Sequence, residues 1–206
     1  MAIAFHYRDP EIRRKAPQRR IALFPGAWNP PTVAHAAIAR AALEWAGEVI
    51  WILPRAFPHK SFEGARFEER LSLLQTLAQS EPGFSVAVAD RGLYVEIADE
   101  ARAVFGHDQE IALLCGRDAA ERIAAWDYGK PGVFEEMLER YPLLVAARAG
   151  DFVPSAHHAD RIVRVGLAND FDEVSSTEVR ERIRRGDPWR ELVPAAIREP
   201  VAAIYR

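Results

Sequence analysis

The chain has 206 residues, 49% of them apolar and 28% charged, with a formal net charge of −3. That balance excludes a disordered chain, and no apolar run approaches the roughly 18 residues needed to cross a bilayer. The single cysteine, Cys115, excludes an intrachain disulfide, and with six scattered histidines it forms no thiolate metal cluster. No metal ligands are assigned. A soluble, cytoplasmic protein with no membrane partner is expected.

Residues 1–20 carry six basic side chains (Arg8, Arg13, Arg14, Lys15, Arg19, Arg20) against Asp9 and Glu11, a balance of +4. The remaining 21 basic and 28 acidic residues balance at −7. The stretch lacks the apolar core of a signal peptide and reads as a solvated basic arm, residues 1–20, ahead of a single domain, 21–206. Nucleic acid is not expected as a partner. An RNA-binding role for the arm would show as affinity that falls steeply with salt.

From residue 21 short apolar runs alternate with amphipathic stretches. Strands are expected at Ile21–Phe24, Val49–Leu53, Phe84–Ala89, Glu110–Cys115, Leu143–Ala147 and Arg161–Val165. Helical spacing appears at Val33–Ala46, Phe67–Ser80, Ile97–Phe105, Ala119–Trp126 and Val133–Arg140. This order, with strands apolar on both faces, predicts an α/β fold: a Rossmann-like, doubly wound parallel sheet with helices on both faces. Ligands then bind beyond the carboxyl ends of the strands.

The first such loop runs GAWNPPTVAH, from Gly26 to His35. Thr32 is a good N-cap, and Thr32 and His35, three residues apart, share one side of the first helical turn. Hydroxyl, imidazole and helix N-terminus together suit a phosphate. The plainer reading is a capping threonine beside a satisfied histidine. There is no G-x-G-x-x-G and no P-loop. Further on, His59-Lys60 reads as an exposed basic tip. VSSTEVR, from Val174 to Arg180, reads either as a phosphate site at a helix start or as an ordinary cap on a basic helix. Trp126 reads as a core tryptophan unless a ligand claims it.

GAWNPPTVAH resembles the G-x-F-x-P-x-[HT]-x-G-H signature of the nucleotidyltransferase superfamily, and within it the nicotinate or nicotinamide mononucleotide adenylyltransferases. Gly26, Pro30, Thr32 and His35 take the matching positions; Trp28 stands for the usual Phe and Ala34 for the box glycine. Pro54 to Lys60 is similar to that family's P-x-x-x-P-P-H-K loop, and Glu69, Arg70 and Leu71 echo its E-x-R-L helix in shortened form. Ser175, Ser176, Thr177 and Arg180 match I-S-S-T-x-I-R, and Gly116, Asp118 and Trp126 match G-x-D-x(7)-W. Leu192, Val193 and Pro194 match a C-terminal packing segment. The family's Ser-Tyr-Thr element, which grips the nicotinate carboxylate, is reduced here to Tyr94 between Leu93 and Val95.

The resemblance implies transfer of AMP from ATP to the phosphate of nicotinate or nicotinamide mononucleotide, releasing pyrophosphate, in NAD biosynthesis. ATP and the mononucleotide are the implied partners, with Mg²⁺ delivered with ATP; a homo-oligomer is left open. The implied catalytic residues are Thr32, His35, Lys60 and Arg180. ATP is implied to meet Gly26, Ala27, Trp28, His35, Gly116, Asp118, Ser175, Ser176, Thr177 and Arg180. The acceptor is implied to meet His59, Lys60, Tyr94 and Trp126. Two other readings differ in class: transfer to another phosphorylated small molecule, and a non-catalytic nucleotide-binding relative.

Overall fold

The structure, a computed structural model, describes residues 2–14, 20–57, 64–146, 156–169, 171 and 173–206. Its strands are β1 (Ala4–Tyr7), β2 (Arg20–Pro25), β3 (Glu48–Pro54), β4 (Phe84–Ala89), β5 (Glu110–Gly116), β6 (Leu143–Ala146) and β7 (Ile162–Val165). They form one sheet in the order β1-β4-β3-β2-β5-β6-β7. All neighbours are parallel except β1, which runs antiparallel to β4.

The apolar strands feed two cores, because successive side chains point to opposite faces. Ala22, Phe24, Trp51 and Leu114 pack on one face under helices α2 (Val33–Ala42), α3 (Phe67–Gln79), α7 (Ser176–Arg185) and α8 (Arg198–Ile204). Ile21, Leu23, Ile52, Leu113 and Cys115 pack on the other, under α4 (Tyr94–Phe105), α5 (Arg117–Ala124) and α6 (Val133–Arg140). Both faces are therefore dry, as the uniform apolarity of the strands requires.

Winding reverses between β2 and β5. The chain leaves β2 for β3 through α2, and leaves β5 for β6 through α5 and α6, on the opposite face. The carboxyl ends of β2 and β5 thus part above the sheet and open a crevice there.

Several expectations change: α4 begins at Tyr94, not Ile97, and α5 spans Arg117–Ala124, not Ala119–Trp126, so Trp126 lies past its end. α2 ends at Ala42, not Ala46, because Leu43, Glu44 and Trp45 donate to the carbonyls three residues back, tightening the chain into a turn. The supposed arm is in part structural: residues 4–7 form β1, followed by α1 (Pro10–Arg14). Behind β1, Arg8 makes a two-pronged contact with Glu48 at 2.9 and 3.0 Å. Ser85 Oγ also donates to Glu48, while Asp9 Oδ2 accepts from the Gly83 N–H. Glu48 is fully buried, so this cationic partner is what makes its charge tolerable. Among the described residues no helix is long and apolar enough to cross a membrane.

Candidate active site

The loop after β2 is shaped by two donors that converge on one acceptor. The Gly26 N–H and Trp28 Nε1 both donate to the Ile52 carbonyl, at 3.1 and 2.8 Å. Trp28 adopts φ +53°, and its ring is buried between Phe24 and Trp51 and meets His35 edge to face. A Cβ on Gly26 would lie 2.6 Å from that ring, so only glycine fits beneath it. Trp28 is accordingly a wedge that sets the loop, with its polar atom spent on the protein, and its ring also lines the polar compartment of the cleft.

The loop carbonyls are held from separate parts of the chain. Arg70 Nη1 donates to the Ala27 carbonyl at 2.9 Å, and Tyr94 Oη to that of Pro25 at 3.2 Å. Arg180 Nη1 donates to the Asn29 carbonyl at 2.6 Å and Ser176 Oγ to that of Pro30 at 2.7 Å. The Asn29-Pro30 peptide is cis. Asn29 Oδ1 accepts from Tyr205 Oη and from the Ala65 N–H. Arg70 was matched only to a helix motif, and Asn29 and Tyr205 were not foreseen as site residues from the sequence. Only contacts across 36 to 176 positions give them this role, and no local spacing reveals such contacts.

At the start of α2 a capping box is built with a histidine where glutamate is usual. Thr32 Oγ1 accepts from the His35 N–H at 3.3 Å, and the Thr32 N–H donates to His35 Nδ1 at 3.1 Å. Thr32 Oγ1 lies 2.9 Å from the same nitrogen. With Nδ1 accepting from an amide, the proton of the neutral ring sits on Nε2. Thr32 is fully buried, which corrects its expected part as a phosphate donor: it fixes the tautomer and position of His35. Ala34, in place of the motif glycine, is fully buried too, so its methyl occupies none of the cleft's surface.

The crevice between β2 and β5 holds two joined compartments. The first, about 560 Å³, is lined by Gly26, Ala27, His35, Gly116, Asp118, Ser176, Thr177 and Arg180, with Arg117 and Arg122 adding positive charge. A Cβ on Gly116 would touch only Ile38, at 3.8 Å, and Gly116 has φ −83°. Nothing in the protein demands glycine there; its absent side chain widens the compartment. The second, about 370 Å³, is walled by Phe57, Leu93, Tyr94, Ile123, Trp126 and Tyr128. Pro25, Gly26, Ala27, Tyr94, Ala119 and Arg122 line both. Burial holds the Tyr94 phenol well above its ordinary range; the neighbouring Cys115 adds to this and Arg122 opposes it. Burial likewise pushes the Cys115 thiol up, against the pull of Arg122.

Gly26, Ala27, Trp28, His35, Gly116, Asp118, Ser176, Thr177 and Arg180 thus come together in one compartment, with Tyr94 and Trp126 in the next. Ser175 stands apart: it is the N-cap of α7, its exposed hydroxyl accepting from the Glu178 N–H at 3.1 Å. The Ser176 hydroxyl is spent on the Pro30 carbonyl. Arg180 Nη2 donates to Thr177 Oγ1 at 3.2 Å, so this guanidinium both braces the loop and faces the cleft. His59 and Lys60 lie outside the described residues. Arg117 and Arg122 were also missed; Arg122, one turn beyond Asp118, is placed by helical spacing on the same side. Among the described residues no group of three or more His, Cys, Asp or Glu side chains is arranged to hold a metal ion.

A family model described as cytidylyltransferase-like matches residues 23–182. A Salinibacter ruber protein named "probable nicotinate-nucleotide adenylyltransferase" is 33% identical over 186 residues, covering 86% of this chain and 92% of its own length. An Anaeromyxobacter dehalogenans protein of the same name is 34% identical over 188 residues, covering 87% and 91%. Among solved structures, the nicotinic acid mononucleotide adenylyltransferase of Plasmodium falciparum complexed with NaAD matches with a TM-score of 0.71. It does so over 91% of this chain and 97% of that one. At 14% identity that likeness is one of fold.

Proposed function

The chain belongs to the cytidylyltransferase-like family, and on that footing we propose that it transfers the adenylyl group of ATP to the phosphate of nicotinate mononucleotide, releasing pyrophosphate, in NAD biosynthesis. The observation that carries this reading is the pair of joined compartments. One is polar and cationic beside His35 and the start of α7; the other is aromatic, and they share a rim. A triphosphate suits the first and a pyridine ring the second, so ATP and a pyridine mononucleotide have that division of chemistry.

In the proposed reaction an oxygen of the acceptor phosphate attacks the α-phosphorus of ATP. A new P–O bond forms as the bond to the bridging α–β oxygen breaks, and the electron pair leaves with pyrophosphate. Positioning and charge neutralisation carry such a transfer, since the protein supplies no covalent step. His35, protonated on Nε2 by virtue of Thr32, donates to an α-phosphate oxygen as charge develops there. Arg180 and Thr177, with the N-terminus of α7, receive the β- and γ-phosphates. Asp118 accepts from the adenosine ribose, and Trp126 stacks on the pyridine ring. Lys60 is proposed to meet the departing pyrophosphate. Mg²⁺ enters as part of the ATP complex, held by phosphates and water.

The test is pyrophosphate release from Mg-ATP with nicotinate mononucleotide, with and without substitution of the cleft. His35→Ala and Arg180→Ala are each expected to cut kcat by roughly 30- to 1000-fold, the range for losing a charge-assisted contact made chiefly in the transition state. Turnover within about threefold of the parent in both variants would overturn the mechanism. Release that needs no acceptor would overturn the reaction.

A further inference from the structure

The aromatic compartment contains one cation, Arg122, that no described residue engages by hydrogen bond or ion pair. Its polar side chains are otherwise committed: Tyr94 Oη to the Pro25 carbonyl, Tyr128 Oη to the Ile123 carbonyl at 3.0 Å, and Asp127 Oδ1 to the Gly129 N–H at 2.8 Å. Among the other arginines lining the cleft, Arg117 pairs with Glu121 at 2.9 Å, and Arg180 holds Asn29 and Thr177. Arg122 makes no ion pair or hydrogen bond among the described residues, yet it lines both compartments. Its field reaches inward, pulling the Tyr94 phenol and the buried Cys115 thiol downward against the effect of burial.

Position on α5 gives the direction. Asp118 and Arg122 stand one turn apart on α5 and Trp126 follows just past its end, and the three lie in order from the polar compartment to the aromatic one. A ring laid on Trp126 therefore shares its compartment with a guanidinium. A carboxylate on that ring meets a fork of donors matched to its two oxygens, although the guanidinium itself is exposed. A carboxamide there offers a single neutral acceptor and sets its own N–H donors against the cation.

From this we infer that Arg122 selects the acceptor, favouring a mononucleotide whose ring carries a carboxylate over one carrying a carboxamide. The inference rests on the proposed reading of the acceptor as a pyridine mononucleotide. It supplies a carboxylate partner where Leu93 and Val95, flanking Tyr94, offer no hydroxyl.

The experiment measures kcat/KM with Mg-ATP for nicotinate and for nicotinamide mononucleotide, in the parent, Arg122→Gln and Arg122→Lys. Binding of each mononucleotide to the same proteins is measured by calorimetry. In Arg122→Gln the preference for the carboxylate acceptor is expected to shrink by about tenfold or more, chiefly through KM, with Arg122→Lys recovering part of it. An equal fall for both acceptors would overturn the inference, since the cation would then be meeting the phosphate they share. No change in either would overturn it as well. Calorimetry separates this from failure of the functional reading. Carboxylate-selective binding that Arg122→Gln abolishes, in a parent that releases no pyrophosphate, would sink the reaction and keep the selector. Equal parental affinities would sink the selector.

Discussion

Tyr205 Oη donates to Asn29 Oδ1 at 2.6 Å, which fastens the segment beyond α8 to the loop that leads into His35. Burial pushes the Tyr205 phenol far up, against the pull of Arg180 and Arg70 nearby, so the hydroxyl keeps its proton and remains a donor. Removing that hydroxyl in Tyr205→Phe forfeits one neutral hydrogen bond, about 1 kcal/mol. We expect kcat/KM to fall roughly fivefold by that conversion, with the melting temperature lowered by only a few degrees. Steady-state kinetics beside a thermal melt checks both.

Two glycines in the cleft predict opposite outcomes for the same substitution. Gly26→Ala drives a methyl into the locked Trp28 ring, 2.6 Å away, and is expected to lose both stability and more than tenfold in activity. Gly116→Ala meets only Ile38 at 3.8 Å and suits its backbone, so the fold is expected to hold. The methyl then narrows the polar compartment and raises KM for ATP. Melting temperature and KM measured on the two variants distinguish the wedge from the opening.

Thr32 joins a helix cap to the state of the His35 ring. Thr32→Val keeps the shape and removes the hydroxyl, at a cost of about 1 kcal/mol for the cap. Activity is expected to fall further than that loss of stability accounts for, because His35 loses a partner at Nδ1. Thr32→Ser should restore most of both. Nitrogen-15 spectra of the imidazole report the tautomer directly; a ring protonated on Nδ1 in the parent would contradict the assignment.

How much of this was legible in the sequence follows from the range of the interactions. Strands β2 to β6 announce themselves because both their faces are apolar, and the Thr32–His35 pair because helical spacing is local. β1 escapes notice, being a four-residue edge strand whose side chains are only half-buried, so it shows no apolar run. Trp28, Thr32, Ser175 and Ser176 are polar or aromatic groups in a plausible motif. Only the folded chain shows that their donors and acceptors go to Ile52, His35, Glu178 and Pro30. The role of Tyr205 needs contact across 176 positions.

Alkaline pH should destabilise the protein for a defined reason. Burial raises the Tyr128 phenol to about 12 and raises Tyr94, Tyr205 and Cys115 as well. Each is an acid kept protonated in the native state, while the unfolded chain releases those protons nearer pH 8.5 for the thiol and about 10 for the phenols. Above those values the native state binds more protons than the unfolded one, so stability falls as pH rises. It is fully present near neutrality and is expected to decline from about pH 9 upward. Tyr128→Phe should flatten that slope in melting temperatures recorded from pH 7 to 11.

The Arg8–Glu48 pair lies at the amino ends of the strands, away from the cleft at their carboxyl ends. Arg8→Ala leaves a buried carboxylate with Ser85 as its remaining polar partner. Because Arg8 is itself about one-third exposed, the loss is set below that of a fully buried pair, at roughly 2–3 kcal/mol. The melting temperature should drop while kcat/KM at 25 °C stays within about twofold.

The loop between β2 and α2 takes its donors from Arg70, Tyr94, Ser176, Arg180 and Tyr205, side chains spread over most of the chain. A segment fastened in this way has no private melting transition. The hydrogen-bonded amide protons of Gly26 and Thr32 should exchange with solvent as slowly as those of the central strands, and only through openings that dismantle several helices together. Catalytic competence then vanishes at the same temperature as the fold, so turnover becomes a gauge of the fraction of molecules still native.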